Sequence, residues 1–265
     1  MPTLSAFDRA RAFRRVADDR TEGTLSEDWF QGRGVYGGLL SALLLDALTP
    51  LFEEQALRTL HVSFLAPALA GEASVGTEVE RAGRSIGTGL ARLTVGDTPV
   101  ARATATFAKP RRSTASELRT PGPALPAPSA LPDGPEALYV PAFCQHLEFR
   151  QAVGPAPFSG SDVAHLGGWC RFREPPALEV AMLVALADAW PPAALTLSSR
   201  WRAAASVDLT FQMLGPLPEV AHDAFWGFEA RASVVEGGYA DETATLFTRN
   251  GTAVASIRQF VALFG

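Results

Sequence analysis

The sequence predicts an α+β protein built from two similar units, each with an antiparallel sheet curved around one buried helix. Three observations carry this prediction. Two long apolar segments lack a polar face, several short strands follow each of them, and the second half of the chain repeats the order of the first. The length of 265 residues suits one large domain or two small ones.

The two apolar segments, residues 36–52 and 176–190, are predicted to be helices buried on all sides, because neither has a polar face. The second is wholly apolar over residues 180–187, and prolines at 175–176 and 191–192 suit its start and its end. Asp46 and Asp188 lie near the helix ends. A buried carboxylate is costly unless it is paired, hydrogen-bonded or hydrated, and we interpret Asp188 as an acid that holds a reacting water.

Strand-like segments with β-branched and aromatic residues follow each helix, and short turns between them indicate antiparallel meanders. Further strand pairs are predicted before each helix, from FRRVAD with GTLSEDWF and from YVPAFCQHLEFRQA with HLGGWCRFRE. The meander strands are predicted at residues 60–69, 74–83, 85–95 and 99–108 in the first half, and at 206–214, 225–238, 239–248 and 252–264 in the second.

The repeat is visible at the level of single residues. DALTP at residue 46 matches DAWPP at 188 (188 − 46 = 142), and TLHVSF at 59 matches SVDLTF at 206 (206 − 59 = 147). DTPVA at 97 matches GTAVA at 251 (251 − 97 = 154), so the offset grows only across loops. A sheet curled around one apolar helix is the hot-dog fold, which we expect twice in this chain. The expected boundaries are 1–108, a Pro/Ala-rich linker at 109–135, and 136–265 with the catalytic residues.

Composition narrows the function. The net charge of −5 argues against a nucleic-acid binder, and no apolar run is long enough to span a membrane. The amino-terminal residues lack an apolar signal core, so we expect a cytoplasmic protein. Cys144 and Cys170 are interpreted as free thiols. The four histidines have no metal spacing, so no metal site is expected. No redox cofactor is expected either.

Two apparent motifs are rejected. A G-x-G-x-x-G pattern spans Gly32 to Gly37, but the antiparallel meander after it does not suit dinucleotide binding. No G-x-S-x-G nucleophile elbow occurs in the sequence, which makes a serine hydrolase a poor interpretation.

The two halves differ at a set of polar residues. The second half has Asp188, Ser206 and Gln259 where the first has Asp46, Thr59 and Ala105. We predict that Asp188, Ser206 and Gln259 hold one water. The acid accepts a proton from this water, and the hydroxyl and the amide orient it. The alternative is that Gln259 only completes a structural hydrogen-bond network.

Attack on a carbonyl also needs donors for the developing oxyanion. Backbone amides at a helix start are suitable, and Gly37 and Gly38 open the first helix. The alternative for these glycines is a plain helix start in a tightly packed position.

The chain resembles the acyl-CoA thioesterase II (TesB-like) family of double hot-dog proteins. The resemblance rests on VALADAWPPA with Asp188, SVDLTF with Ser206, GTAVASIRQ with Gln259, and GVYGG before the first helix. It implies hydrolysis of acyl-CoA, or a related acyl thioester, to a free acid and a thiol. The family activates water with an Asp, a Thr and a Gln, and here Ser206 stands where the Thr is usual.

Two other functions stay open at this point. A non-catalytic hot-dog module could bind acyl groups, although the complete polar set in one half argues against it. A hydratase of the same fold is weakened because its Asp-His motif is missing. The expected partner is the acyl-CoA substrate, with no nucleic acid and no membrane. A monomer, which would be a pseudo-dimer of two hot dogs, and a homodimer are equally compatible with the sequence.

Overall fold

The computed structural model describes residues 4–111, 114, 118, 121–134 and 140–265. The described residues form three α-helices and fourteen strands. The helices are α1 (Ala6–Ala10), α2 (Gly37–Leu48) and α3 (Val180–Ala187). The strands are β1 (Arg14–Ala17), β2 (Arg20–Leu25), β3 (Phe30–Gln31), β4 (Gly34–Val35), β5 (Ala56–Phe64), β6 (Gly71–Ala82), β7 (Ile86–Val95), β8 (Thr98–Ala108), β9 (Leu147–Val153), β10 (His165–Phe172), β11 (Ala204–Met213), β12 (Trp226–Glu236), β13 (Tyr239–Phe247) and β14 (Ala253–Leu263).

Twelve of these strands make one continuous sheet in the order β1-β2-β6-β7-β8-β5-β11-β14-β13-β12-β10-β9. Every pairing in it is antiparallel, and β5 joins β11 at the centre. Each half contributes six strands in the same arrangement, so the predicted α+β double hot-dog fold is confirmed.

The central pairing relates the two halves by a pseudo-twofold axis. Leu60 is opposite Phe211, and Val62 is opposite Leu209. Each of the two strands has one bulge, at Arg58 in β5 and at Val207 in β11, and matching these bulges gives an offset of 149 between the halves (207 − 58).

The helices α2 and α3 form the centre of the core, as their apolar sequences predict. Ala181 to Ala187 are all buried, and so are Gly38 to Leu45. The two helices run in opposite directions. The Tyr36 hydroxyl at the start of α2 donates to the Ala185 carbonyl near the end of α3.

At the other end of the helix pair, Arg11 contacts both helices. Its guanidinium donates to both oxygens of Asp46 on α2, at 2.8 and 2.7 Å, and to Glu179 before α3 at 3.1 Å. A third carboxylate, Asp8, lies 3.1 Å from the same group. Desolvation raises the pKa of Asp46 to about 6, although the Arg11 charge acts in the opposite direction.

Both central helices are shorter than predicted. Helix α3 covers only residues 180–187 of the predicted 176–190. Glu179 before it is extended (φ −137°, ψ 161°) and binds Arg11, which leaves the prolines at 175–176 outside the helix. Helix α2 ends at Leu48 and continues as a 3₁₀ turn over Thr49–Phe52, because Pro50 has no N–H for the next helical bond.

The predicted strand GTLSEDWF is only partly correct. Strand β2 ends at Leu25, and Glu27–Trp29 form a 3₁₀ turn. The Trp29 side chain is buried against Phe7 of α1 and Tyr36. Burial of this large ring, rather than local strand propensity, decides the path of the chain here.

The predicted linker lies only partly among the described residues. Residues 112–113, 115–117, 119–120 and 135 fall outside them, as do 136–139 at the start of the predicted second unit. In the described part, Pro121 forms a β-bridge with Thr252, and the Trp169 indole donates to the Pro126 carbonyl at 2.8 Å. This part packs on the second half, and the domain boundaries stay a prediction. No helix in the described ranges is long and apolar enough to cross a membrane.

Arg11→Met should lower the free energy of unfolding by about 2–3 kcal/mol. This is somewhat below the usual cost of breaking a buried ion pair, because Asp46 keeps about a third of its side chain exposed. Arg9→Met is the matched control, since the bridge from Arg9 to Glu174 is more than half exposed on both sides. It should cost less than about 1 kcal/mol. Urea unfolding measures both, and equal losses would contradict a special role for Arg11.

Candidate active site

The three polar residues predicted from the sequence meet at the carboxyl end of α3. Asp188 is the residue that ends this helix, and it is only 5% exposed. Gln259 Nε2 donates to Asp188 Oδ1 at 2.7 Å, and Ser206 Oγ donates to the same oxygen at 3.3 Å. The Gln259 amide also donates to Ser206 Oγ. One carboxylate oxygen is therefore held by two side chains from the neighbouring strands β11 and β14.

Strand periodicity explains why Gln259 faces inward. Ile257 and Val261 lie on the same face of β14 and are buried, whereas Arg258 and Phe260 on the other face are exposed. Gln259 itself is half-buried. The sheet thus presents one amide to the apolar layer at the point where Asp188 ends its helix.

The second carboxylate oxygen is in a different situation. Asp188 Oδ2 is buried and has no hydrogen-bond partner among the described residues. Burial raises the pKa of Asp188 to about 7, while Gln259, Ser206 and the Gly38 amide oppose this rise. Since the pKa is ordinarily 3.8, ionising Asp188 costs folding stability as the pH rises from about 4 through about 7. The site therefore holds an acid that titrates near neutral pH.

The start of α2 lies against this carboxylate. A Cβ atom on Gly37 would be 2.6 Å from Asp188 Oδ2 and 2.8 Å from the Phe64 ring. A Cβ on Gly38 would be 2.6 Å from the Ala185 carbonyl oxygen and still closer to the Tyr36 hydroxyl. Gly38 therefore requires glycine, because its neighbour is a backbone atom, whereas a side chain at Gly37 would displace the Asp188 carboxylate and the Phe64 ring.

The first amides of α2 have no acceptor within the helix. The Tyr36 carbonyl accepts from the amides of Leu39 and Leu40, and the amides of Gly37 and Gly38 precede these. The structure brings both predicted oxyanion donors next to Asp188. Their role toward an oxyanion stays a prediction.

The sheet registers correct one part of the sequence comparison. The bulge in β5 skips Arg58, and the bulge in β11 skips Val207. With the offset of 149, Ser206 then corresponds to Leu57 and not to Thr59. The resemblance of TLHVSF to SVDLTF is two residues out of structural register, because similar residue types alternate in both strands.

The other correspondences hold. Gln259 is opposite Leu209, and Ala105 is opposite Leu60, which is the equivalent of Leu209. The first half therefore has buried apolar residues, Leu57 and Ala105, in place of the hydroxyl and the amide. Its Asp46 is bound by Arg11 instead. Only one end of the helix pair has the complete polar set.

Glu242 was not among the site residues predicted from the sequence. This residue is 3% exposed, and its carboxylate accepts from the amides of Ala193 and Ala194 at 3.0 and 2.8 Å. It is opposite Gln259 in the sheet, so it holds the segment after Asp188 beside the site. The sequence feature that could have indicated Glu242 is its position midway between Ala240 and Ala244, on the buried face of β13.

Tyr36, which directly precedes the glycine pair, was not among the predicted site residues either. Its side chain is fully buried, and its hydroxyl contacts α3. A tyrosine before a helix start carries no signal of its own in the sequence, because its partner, Ala185, is 149 residues away.

Two cavities lie elsewhere on the protein. One of about 10 Å³ lies beside Met182 and Leu186 of α3. A more open hollow of about 230 Å³ is lined mainly by polar residues of β12 to β14, including Glu229 and Thr243. Neither includes Asp188. The described residues contain no group of three or more His, Cys, Asp or Glu side chains that could bind a metal ion.

Solved structures with the same fold match over nearly the whole chain. A conserved protein of unknown function with a hot-dog fold from Alicyclobacillus acidocaldarius has a TM-score of 0.90 at 24% identity, with 99% of each chain covered. The acyl-CoA thioesterase II TesB2 from Mycobacterium marinum has a TM-score of 0.78 at 17% identity, covering 98% of this chain and 99% of its own. The tesB protein of Mycobacterium avium subs paratuberculosis has 0.81 at 17% identity, covering 99% and 100%. At these identities the likeness shows the fold.

Two family models cover the chain. The model of the acyl-CoA thioesterase N-terminal domain matches residues 25–108, and that of the acyl-CoA thioesterase C-terminal domain matches residues 91–263. No match is found among curated proteins. The fold and these family models define a double hot-dog thioester hydrolase. The chain belongs to the acyl-CoA thioesterase family, so its general reaction is the hydrolysis of acyl-CoA thioesters.

Gly38→Ala should lower the free energy of unfolding by about 1–3 kcal/mol, because the new methyl group overpacks a rigid contact with the backbone of α3. Gly76→Ala is the control. Gly76 lies in β6 with no atom near its Cβ position, so alanine there should be neutral or slightly stabilising. Thermal and urea unfolding measure both variants. Equal stability of the Gly38 variant and the wild type would refute the close approach of α2 and α3.

Proposed function

We propose that the protein hydrolyses acyl-CoA thioesters with a water molecule that Asp188 deprotonates. One observation carries this proposal. Asp188 Oδ1 is held by Gln259 and Ser206, while Oδ2 is buried, faces Gly37 and has no partner among the described residues. A buried carboxylate oxygen without a partner is costly, and a water bound there would satisfy it.

The arrangement supports a direct attack by water. Asp188 takes one proton from the water, and the water oxygen forms a bond to the thioester carbonyl carbon. The carbonyl electron pair moves onto its oxygen. When this tetrahedral intermediate collapses, the carbon–sulfur bond breaks and the thiolate takes the proton from Asp188. The products are a free acid and coenzyme A, and no covalent enzyme intermediate is needed.

The amides of Gly37 and Gly38 are proposed to bind the developing oxyanion. They lie at the start of α2, where the helix dipole favours negative charge. The Gly38 amide already lowers the pKa of Asp188, so it lies within electrostatic reach of the reacting atoms. The base comes from the second half of the chain and the donors come from the first.

The acyl chain is proposed to lie along the apolar helices, with the coenzyme A group outside. The cavity beside Met182 and Leu186 has a volume of about 10 Å³, which is room for about one water molecule. Ser206 and Gln259 are only half-buried, which supports access of the substrate from the β11–β14 side.

Asp188→Asn should lower the turnover of acyl-CoA by at least about 1,000-fold, because an amide cannot accept the proton from water. Asp46→Asn is the matched control, since it changes the equivalent acid at the other end of the helix pair. It should retain nearly full turnover. Thiol release from acyl-CoAs of several chain lengths measures both. Equal rates for Asp188→Asn and the wild type would remove Asp188 from the reaction.

Gln259→Ala should lower turnover by about 10–1000-fold, because one group that positions the water is lost.

The rate of the wild type should rise with pH around a pKa of about 7 as Asp188 ionises. Gln259 lowers this pKa, so the variant should need a higher pH. Gln212→Ala, at an exposed position of β11, is the control. An unchanged rate and pH profile in Gln259→Ala would contradict the assignment.

A further inference from the structure

Tyr36 connects the two parts of the candidate site. It is the residue immediately before α2, and its backbone N–H donates to the Trp29 carbonyl at 2.9 Å. Its ring is fully buried and stacks on Phe143, with centroids 4.2 Å apart and planes 4° from parallel. The ring therefore has no freedom to turn, and the hydroxyl has one fixed position.

The Tyr36 hydroxyl donates to the carbonyl of Ala185, which also accepts the backbone N–H of Asp188 at 3.2 Å. One carbonyl thus receives a bond from the residue before the glycine pair and a bond from the proposed base itself. The path from Tyr36 to the Asp188 backbone contains a single shared acceptor.

We propose that the Tyr36 hydroxyl is a positioning group that sets the gap between the Asp188 carboxylate and the amides of Gly37 and Gly38, through the Ala185 carbonyl. This inference rests on the proposed function, in which the substrate carbonyl and the water bind in that gap. The Tyr36 bond is a direct polar link from the start of α2 to the end of α3.

Two further features support this role. A Cβ atom on Gly38 would collide with the Tyr36 hydroxyl, so the glycine leaves room for the bond. The pKa of Tyr36 is raised well above its usual value, first by burial and second by the Asp188 charge. The hydroxyl therefore stays protonated, and it lies within electrostatic reach of the proposed base.

Tyr36→Phe tests the proposal, because it removes the hydroxyl and keeps the stacked ring. We expect kcat for acyl-CoA to fall about 10-fold with KM changed less than about twofold, since loss of alignment affects the chemical step. Thr196→Val is the control. It also removes a fully buried hydroxyl, which donates to the carbonyls of Val163 and Ala193. Each substitution should lower Tm by about 2–4 °C, but only Tyr36→Phe should lower kcat.

A second readout does not depend on turnover. In protein labelled with carbon-13 at the aspartate carboxyl groups, the Asp188 resonance gives its pKa directly. Tyr36→Phe should raise this pKa, because the Gly38 amide that opposes the rise would move away. In an Asp188→Asn background, Tyr36→Phe should lower the residual rate no further, because the two residues act through one geometry.

The outcomes separate the two proposals. Suppose that the wild type hydrolyses acyl-CoA, that Asp188→Asn does not, and that Tyr36→Phe does so at an unchanged rate. This result overturns the positioning role and leaves the proposed function standing. An equal loss of kcat in Thr196→Val also overturns the positioning role. If the wild type hydrolyses no acyl-CoA, the proposed function fails. The carboxyl titration then decides the positioning role: a raised Asp188 pKa in Tyr36→Phe supports it, and an unchanged pKa overturns it.

Discussion

The antiparallel pairing of β5 with β11 is the constraint on which the rest of the structure depends. It joins two six-stranded halves into one sheet and relates them by a pseudo-twofold axis. Because each half carries its helix on the same face, the axis makes α2 and α3 neighbours that run in opposite directions. The start of one helix then meets the end of the other, and this happens twice in the molecule.

The two helix junctions have opposite chemical characters. At one, Arg11 neutralises Asp46 and Glu179, and the neighbouring strand positions hold the apolar side chains of Leu57 and Ala105. At the other, no cation among the described residues makes a hydrogen bond to Asp188, and a hydroxyl and an amide hold one of its oxygens. The same structural plan therefore has one junction closed by an ion pair and one junction where a carboxylate oxygen has no hydrogen-bond partner among the described residues.

Burial explains why the second junction is suited to general-base chemistry. A carboxylate in water is nearly always ionised at neutral pH and is a weak base. Removing Asp188 from water raises its pKa to about 7, where proton transfer in both directions is efficient. The folded state bears a cost for this, since the ionised form is less stable in an apolar layer. The pKa of Asp188 is raised because the residue directly follows an all-apolar, buried helix.

The apolar segments, the strand order and the duplication were all readable from the sequence, because burial on every side demands residues without a polar face. The candidate site residues were readable for a similar reason: an inward-facing Gln259 on an apolar strand is conspicuous. The structural register of Ser206 was not readable from the sequence. A bulge shifts the strand pairing, and the alternation of residue types along a strand does not reveal the shift. The hydrogen bonds from Tyr36 to Ala185 and from Arg11 to Asp46 were not readable from the sequence either. These join residues far apart in the chain, and only the packing of the two halves brings them together.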